Sequence, residues 1–511
     1  MTTPDPRAWA QTAVRAYASA TNMLVPGRRF AVLAPGAGPA HPRALVDLLE
    51  RFGARVVDDP SSAHAVFEAP PARPGPPADP GDGPRAPGDR AGGPRLVVRA
   101  PIGGRASVTW DGERLLGPHE AGRGADYGAS RTAWARDRMP VTRRAVQDAA
   151  PLIAGRTVGL SLVLEPKTAA LALMLHEAGA RVRVFGHAAE TRDDVAEALR
   201  AAGIAVFAES GATGEREEEL ARLFLAGGVE FLLDDGSHLI RMAHDPRRAP
   251  GALESLVGAA EETTSGLRAL RAFPLRVPVV ASNDARSKTL FDNAYATGQS
   301  CLLTILDLID PAARGVALWE QRVAVVGYGD VGKGFARFAA ACGAAVDVVE
   351  TDPVRALQAQ MDGHRVAGLE EAATTSAMLV SATGEPATIT PAALAALPAG
   401  AVVAVAGGVE GEAGLAQTGA ASWPLTESGS RAVQLLHRPG TAPVRVLDRG
   451  ACINCTAGEG NPIEVMDMSF GVQVAALREL ASHGSSMPPG LRALPGPADI
   501  LVARRALEAL A

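Results

Sequence analysis

The amino-acid sequence predicts an α/β protein: two doubly wound parallel-sheet domains in tandem, with a smaller α/β extension at the N-terminus. Three observations carry this reading. From about residue 131, short apolar runs of strand length alternate with longer amphipathic runs of helical period. A second series of the same kind begins at RVAVVGYG, residues 322–329. Residues 20–57 then show strand, glycine-rich turn, helix and strand on a smaller scale.

Taken in order, residues 1–69 form the extension, and its layout matches that of residues 312–348, as in a partial internal repeat; an unrelated βαβ segment explains it equally well. Its glycine fingerprint is broken by Pro35, Pro39, His41 and Pro42, so no cofactor is expected there, because a pyrophosphate needs unblocked backbone N–H groups at the helix start. Residues 70–95 are dense in Pro and Gly and read as a linker. Residues 96–130 read as a connecting segment. In 131–285, TVGLSLVL, RVRVFG, IAVFAES and VEFLLDDG are strands, and KTAALALMLHEAGA and DDVAEALRAAG are helices. In 286–456, strands follow at VDVVET, AMLVSAT and AVVAVAGG. Residues 457–511 are expected to return to the 131–285 domain. The chain then crosses between domains near SNDARSK and NCTAGEG.

At 511 residues, 47% hydrophobic and 21% charged, the chain is long enough for two or three full cores and has ordinary globular composition. A net charge of −6 implies no general affinity for nucleic acid or anionic membranes. No run approaches a membrane span, and the N-terminus lacks the regions of a signal peptide. Four cysteines are too few for a disulfide framework and fit a reducing cytoplasm. Cys452 and Cys455 form a lone CxxC, read as incidental because structural zinc wants four ligands; no metal site is expected.

Only three lysines, Lys167, Lys288 and Lys333, stand against 47 arginines. Arginine stays protonated at any workable pH, whereas lysine shifts its pKa on burial. A chain that keeps lysine only inside LEPKTA, SNDARSKTLFDN and GYGDVGKG points to amine chemistry. For Lys333, at a helix start, chance survival explains it as well. For Lys288, flanked by Asp284, Asp292 and Asn293, chemistry is the favoured reading.

Gly327, Gly329 and Gly332 form a GxGxxG between the strand RVAVV and a helix opening at Asp330. In that context the pattern is a dinucleotide site. The first glycine allows the tight turn, the second admits the pyrophosphate, and the third lets the helix pack on the strand. Glu350 ends the next strand, where an acid accepts both ribose hydroxyls and repels a 2′-phosphate. The expected cofactor is therefore NAD.

Over about residues 131–495 the chain resembles the S-adenosylhomocysteine hydrolase family. The resemblance rests on LEPKTAALALML, LLDDG, EETTSG, SNDARSKTLFDNAYATGQS, VAVVGYGDVGKG and NCTAGEGNPIEVMDMSF, in that order. LEPKTA, KTLFDN, ATGQS and AGEGNP look closest to its shorter archaeal-type branch. The resemblance implies tightly held NAD and transient oxidation of a ribose 3′-hydroxyl. Removal of the C4′ hydrogen, loss of the 5′ substituent, addition of water and return of the hydride complete the cycle. It implies Lys288 and Asp292 at the 3′-hydroxyl proton, with burial bringing the lysine toward neutrality, and Asp235 as acid–base near C4′ and C5′. Glu165, Lys167, Thr168, His238, Glu262 and Asn461 are implied as substrate contacts. Thr263, Thr264, Ser265, Asn293, Asp330 and Asn454 are implied at the cofactor, beside the three glycines and Glu350. Domain closure would carry Asp235 and Glu262 toward Lys288. A small nucleoside-like substrate and a homo-oligomer, dimer or tetramer, are the implied partners.

Three family histidines are absent. Val163 stands at one, Gly408 at another and Asn461 at the third, while His238 occupies a usual aspartate position. These are substrate-facing positions, whereas the cofactor positions are intact. Valine transfers no proton, so the expected net reaction is a lyase or dehydratase step that stops at elimination. The alternatives are a genuine hydrolase and a silent NAD-binding regulator. For His238, replacement proton chemistry stands beside an ordinary loop histidine.

Overall fold

The computed structural model describes residues 5–34, 38–69, 96–100, 106–118, 124–311, 318–408, 411–418, 423–430 and 432–510. The linker expected at 70–95 lies outside the described residues, as does Pro35. The chain divides into two compact units, residues 1–121 with 294–459 and residues 122–293 with 460–511.

The second unit is built on a seven-stranded, wholly parallel sheet. Its spatial order is Gly490–Ala493, Pro278–Ala281, Gly258–Glu261, Phe231–Asp234, Thr157–Ser161, Arg181–Phe185, Ala205–Phe207. The central strands are buried along their length, so they read as unbroken apolar runs rather than alternating ones. Strand order reverses between Thr157–Ser161 and Phe231–Asp234, and in such sheets ligands bind at the carboxyl ends beside the reversal. The C-terminal segment supplies the edge strand Gly490–Ala493 and the helix Ile463–His483, which packs on helix Pro140–Ile153. Asp467 fastens these two helices by accepting the N–H groups of Val141 (2.9 Å) and Thr142 (2.7 Å).

The first unit holds two sheets. The larger runs Arg365–Val366, Ala345–Val349, Arg322–Val326, Met378–Ser381, Val402–Val405, Val444–Leu447, Val433–Leu436, Leu425–Ser430; the first six strands are parallel and the last two antiparallel. The smaller runs Arg55–Val56, Arg29–Leu33, Ala65–Glu68, Leu96–Arg99, Ser107–Trp110, Glu113–Leu115. Its βαβ start has the same parallel pairing as Arg322–Val326 with Ala345–Val349.

The smaller sheet corrects the expectation for 96–130. That stretch is not a connection. Leu96–Arg99, Ser107–Trp110 and Glu113–Leu115 complete the N-terminal sheet, and Ala125–Asp137 is already a helix of the other unit. The hairpin signal was present: Asp111 and Gly112, both at positive φ, form the two-residue turn between SVTW and ERL. The extension is held to the larger sheet's helices by polar bonds. Arg15 pairs with Asp307 (2.7 Å) and Asp310 (3.0 Å), Gln299 bonds Met23 O and Val25 N, and the Phe52 and Phe338 rings meet at 5.0 Å.

A second correction concerns the boundary expected at 285/286. The division falls at 293/294, so Lys288, Asp292 and Asn293 belong to the same unit as Asp235 and Glu262. The cause is local. Asp499 accepts the N–H groups of Arg286 and Ser287, both at 3.0 Å, and ties helix Arg286–Thr289 to the C-terminal helix. No closure is needed to bring these side chains together.

Candidate functional site

In the second unit, acids come in pairs at the ends of two neighbouring strands. Asp234 and Glu261 are the last strand residues and sit opposite each other in register; Asp235 and Glu262 follow them. Because side chains alternate along a strand, each pair splits its work. Asp234 accepts the N–H of Ile240 (2.8 Å), and Glu261 accepts those of Gly236 (3.0 Å), Ser237 (2.8 Å) and Thr263 (2.9 Å). These two hold the loops. Asp235 and Glu262 accept none of those backbone N–H groups.

Lys288 is buried, and its ammonium reaches Asp292 Oδ2 (2.8 Å), Asn283 Oδ1 (3.2 Å) and Asn293 Oδ1 (3.5 Å). Asn461 Nδ2 donates to the other Asp292 oxygen at 2.6 Å. Glu262 is buried; Gln473 donates to its Oε2 (3.3 Å), and its Oε1 has no hydrogen-bond partner among the described residues. Burial pushes the Glu262 carboxyl up to about 8, with Lys288 opposing and Asp235 and Asp292 adding to the rise, so it is protonated at neutral pH. Burial also raises Asp235, only partly offset by the charges of Lys288 and His187. For Lys288 the expectation of a pKa drawn toward neutrality is overturned. Burial works against its charge, but Asp292 and Glu262 outweigh that, and the lysine stays above its ordinary value.

The other predicted contacts are placed as follows. Glu165 caps helix Pro166–Glu177 through Lys167 N (3.1 Å) and pairs with the buried Lys167 ammonium (2.6 Å). Thr168 donates its hydroxyl to Val163 O (2.6 Å). Thr263 caps helix Thr264–Arg271 and donates to Glu261 (2.6 Å), Thr264 Oγ1 accepts from Asn283 (3.1 Å), and Ser265 lies beside Thr263. All of these sit in the second unit, with Asn293. Of the three lysines, Lys167 and Lys288 are buried and paired; Lys333 is half-buried, forms no ion pair among the described residues, and lies 5.9 Å from the Tyr328 ring.

His238 opens helix His238–Ala243, over Gly236 and edge-on to His187, with ring centroids 5.0 Å apart. Burial, then the charges of His187 and Arg241, push its pKa down, so it is neutral at pH 7. Sequence reasoning missed its neighbours. His187 is bonded to Glu217, and Glu190 has its carbonyl bonded to Leu164 N (3.0 Å), next to Val163. Burial and the Asp235 charge raise Glu190 to about 7. No motif marks HAAE; only the bridge between Leu164 and Thr191 brings it here.

In the first unit, Gly327 turns at φ +91°, and a Cβ on Gly332 would stand 2.0 Å from Gly327 O. Above Gly329 the nearest atom to a Cβ is Arg355 Nη1 at 3.9 Å, which leaves room for a pyrophosphate. Helix Asp330–Ala341 starts at Gly329 without a side-chain cap, so its N–H groups are available to an anion. Glu350 accepts from Tyr328 N (2.7 Å), Thr351 N (2.7 Å) and Asp352 N (2.9 Å). Burial pushes it up, but those N–H groups and Arg355 more than offset this and keep it ionised. The residues fit NAD. Asn454 is buried in helix Ile453–Thr456 and accepts from Cys452 Sγ (3.3 Å); Cys452 and Cys455 are free thiols. Gly408 is exposed and left-handed, φ +83°, a conformation in which the family's histidine would be strained. Among the described residues no helix is long and apolar enough to cross a membrane.

Residues 297–460 match the family model for the S-adenosyl-L-homocysteine hydrolase NAD binding domain. An S-inosyl-L-homocysteine hydrolase of Methanopyrus kandleri is 36% identical over 394 residues, covering 76% of this chain and 91% of that protein. An adenosylhomocysteinase of Thermotoga maritima is 36% identical over 391 residues, covering 75% and 95%. One from Archaeoglobus fulgidus is 36% identical over 367 residues, covering 70% and 87%.

Proposed function

Because the chain belongs to the S-adenosylhomocysteine hydrolase family, and is therefore an NAD-dependent enzyme, we propose that it oxidises the 3′-hydroxyl of a nucleoside-like substrate, removes the C4′ proton and eliminates the C5′ substituent. When bound, NAD would supply a hydride acceptor that is regenerated within the cycle, so no net redox change would result. One observation carries the reading: a buried Lys288–Asp292 pair stands with a protonated Glu262 whose Oε1 has no partner.

The roles follow from protonation. Lys288 is charged, so it stabilises a developing alkoxide, and Asp292, 2.8 Å away, is the group that takes the proton. Glu262 offers its carboxyl hydrogen to a ribose hydroxyl. Asp235, whose pKa is raised by burial, is the carboxylate assigned to C4′. Val163 offers no proton at C5′, and loss of such a group costs about a hundred- to ten-thousand-fold. The product expected to accumulate is the 4′,5′-ene, and the net reaction is that of a lyase or dehydratase.

Full hydrolysis is the second reading. It is favoured by the His187–Glu217 pair and by Glu190, raised to about 7, on the segment that bridges Leu164, the residue after Val163. Incubation with S-adenosyl-L-homocysteine and S-inosyl-L-homocysteine, with products identified by mass spectrometry, separates the two. An ene product supports the first. Rapid release of the saturated nucleoside and homocysteine supports the second, and loss of that activity in His187→Ala would assign it. If hydrolysis is blocked at Val163, Val163→His restores part of it.

A further inference from the structure

The family resemblance makes Asn461 a substrate contact, but in the structure its side-chain amide donates to a carboxylate of the enzyme itself. Asp292 Oδ1 takes Asn461 Nδ2 at 2.6 Å, while Asp292 Oδ2 takes Lys288 Nζ at 2.8 Å. The two bonds use opposite oxygens, so Asn461 fixes the rotation of the carboxylate about its last bond. The partners are far apart in sequence: Asn461 begins the C-terminal segment, and Asp292 opens the π-helical turn Asp292–Thr297 at the other crossing between units.

A buried ion pair is stable only if its remaining hydrogen-bonding positions are met, and removing one partner from such a set is costly. Lys288 carries three N–H groups and has three acceptors, on Asp292, Asn283 and Asn293. That set is complete only while Oδ2 of Asp292 faces the ammonium. An amide donor does this at every pH; a histidine donor changes with its own protonation.

We propose that Asn461 is a positioning residue for the Lys288–Asp292 pair, acting through Asp292 rather than on the substrate. The proposal rests on the functional reading above for its catalytic consequence, but not for its structural one. Removal of Asn461's donor frees the carboxylate to rotate, loosens the ammonium and slows the proton step at the 3′-hydroxyl. A hydrogen bond to a charged group is worth about 1.5–3 kcal/mol, which corresponds to a loss of roughly ten- to a hundred-fold.

Having three lysines makes the first test direct. In full-length, NAD-loaded protein labelled with ¹⁵N-lysine, Lys167, Lys288 and Lys333 give three side-chain signals. In Asn461→Leu, hydrogen exchange at the Lys288 ammonium should quicken at least about tenfold, while the half-buried Lys333 is unchanged. An unchanged Lys288 signal overturns the proposal whether or not any substrate is turned over. Asn461→Ala serves if the leucine variant does not fold, with bound NAD and Tm as controls. The second test uses S-adenosyl-L-homocysteine and S-inosyl-L-homocysteine. Asn461→Leu should lower kcat by the same factor for both and leave KM within about twofold, and Asn461→His should recover rate with a new pH dependence near about 6.5. A rise in KM that differs between the two bases, with kcat intact, makes Asn461 a substrate contact and overturns the proposal. Wild-type protein inert toward both substrates removes the functional reading, while the lysine signal still decides the positioning role.

Discussion

The loop at residues 327–332 and the cluster around Lys288 occupy equivalent places, each at the carboxyl ends of parallel strands where strand order reverses. They differ in construction. The loop is one stretch of chain and acts through backbone: a positive-φ glycine, a glycine packed on Gly327 O, an uncapped helix start and Glu350 clamped by three N–H groups. The cluster is gathered from five stretches, near 165, 235, 262, 290 and 461, and acts through side-chain protons. Backbone chemistry tolerates no change in residue type. Side-chain chemistry tolerates exchange at the rim, and Val163, His238 and Asn461 all lie there.

If that contrast holds, Lys288→Arg gives the largest effect. Turnover should fall by about a hundred- to a thousand-fold with NAD still bound, because arginine keeps charge but not the compact ammonium that reaches Asp292, Asn283 and Asn293. Near wild-type rates, measured alongside NAD content, would make this lysine structural. The reciprocal change is Gly332→Ala. Its Cβ would meet Gly327 O at 2.0 Å, so the protein should purify with NAD well below stoichiometry while the Lys288 side-chain signal is retained. Glu350→Ala should keep NAD binding within reach but raise the relative affinity for NADP roughly tenfold or more, since a like-charge repulsion is removed; titration calorimetry with both cofactors measures it.

The smallest effect sharpens the cluster's side. Glu262 has a folded pKa of about 8 against an unfolded value near about 4.3. Between those values the folded state binds more protons than the unfolded state, so stability falls as pH rises through that window and levels off above it. Glu262→Gln should flatten the decline of Tm between pH 5 and pH 8. An unchanged slope would place the raised proton elsewhere in the cluster, on Asp234 or Glu261.

Strand and helix order was legible from residue 131 onward because fully buried parallel strands leave continuous apolar runs, as in Phe231–Asp234 and Val402–Val405. The connection expected at 96–130 failed because three strands of three or four residues are too short to show a period, although Asp111–Gly112 marked the hairpin of the last two. The cysteines of the CxxC remain free thiols, and among the described residues no group of three or more His, Cys, Asp or Glu is arranged to hold a metal ion.

What the sequence determined by itself is whatever depends on neighbours along the chain: the alternation that makes the sheets and the glycine spacing that makes the dinucleotide loop, while the family resemblance singled out Lys288, Asp292, Asp235 and Glu262 as candidates. Only the tertiary structure decided which groups carry protons and which are partners. It keeps Lys288 charged by setting Asp292 against it, protonates Glu262 by burial, brings the segment of His187 and Glu190 to Leu164 across a strand bridge, and turns Asn461 onto Asp292. The physical reason is range. Backbone conformation is set over a few residues, whereas desolvation and Coulomb forces act through space between separate segments, and the Asn461–Asp292 bond joins residues 169 apart.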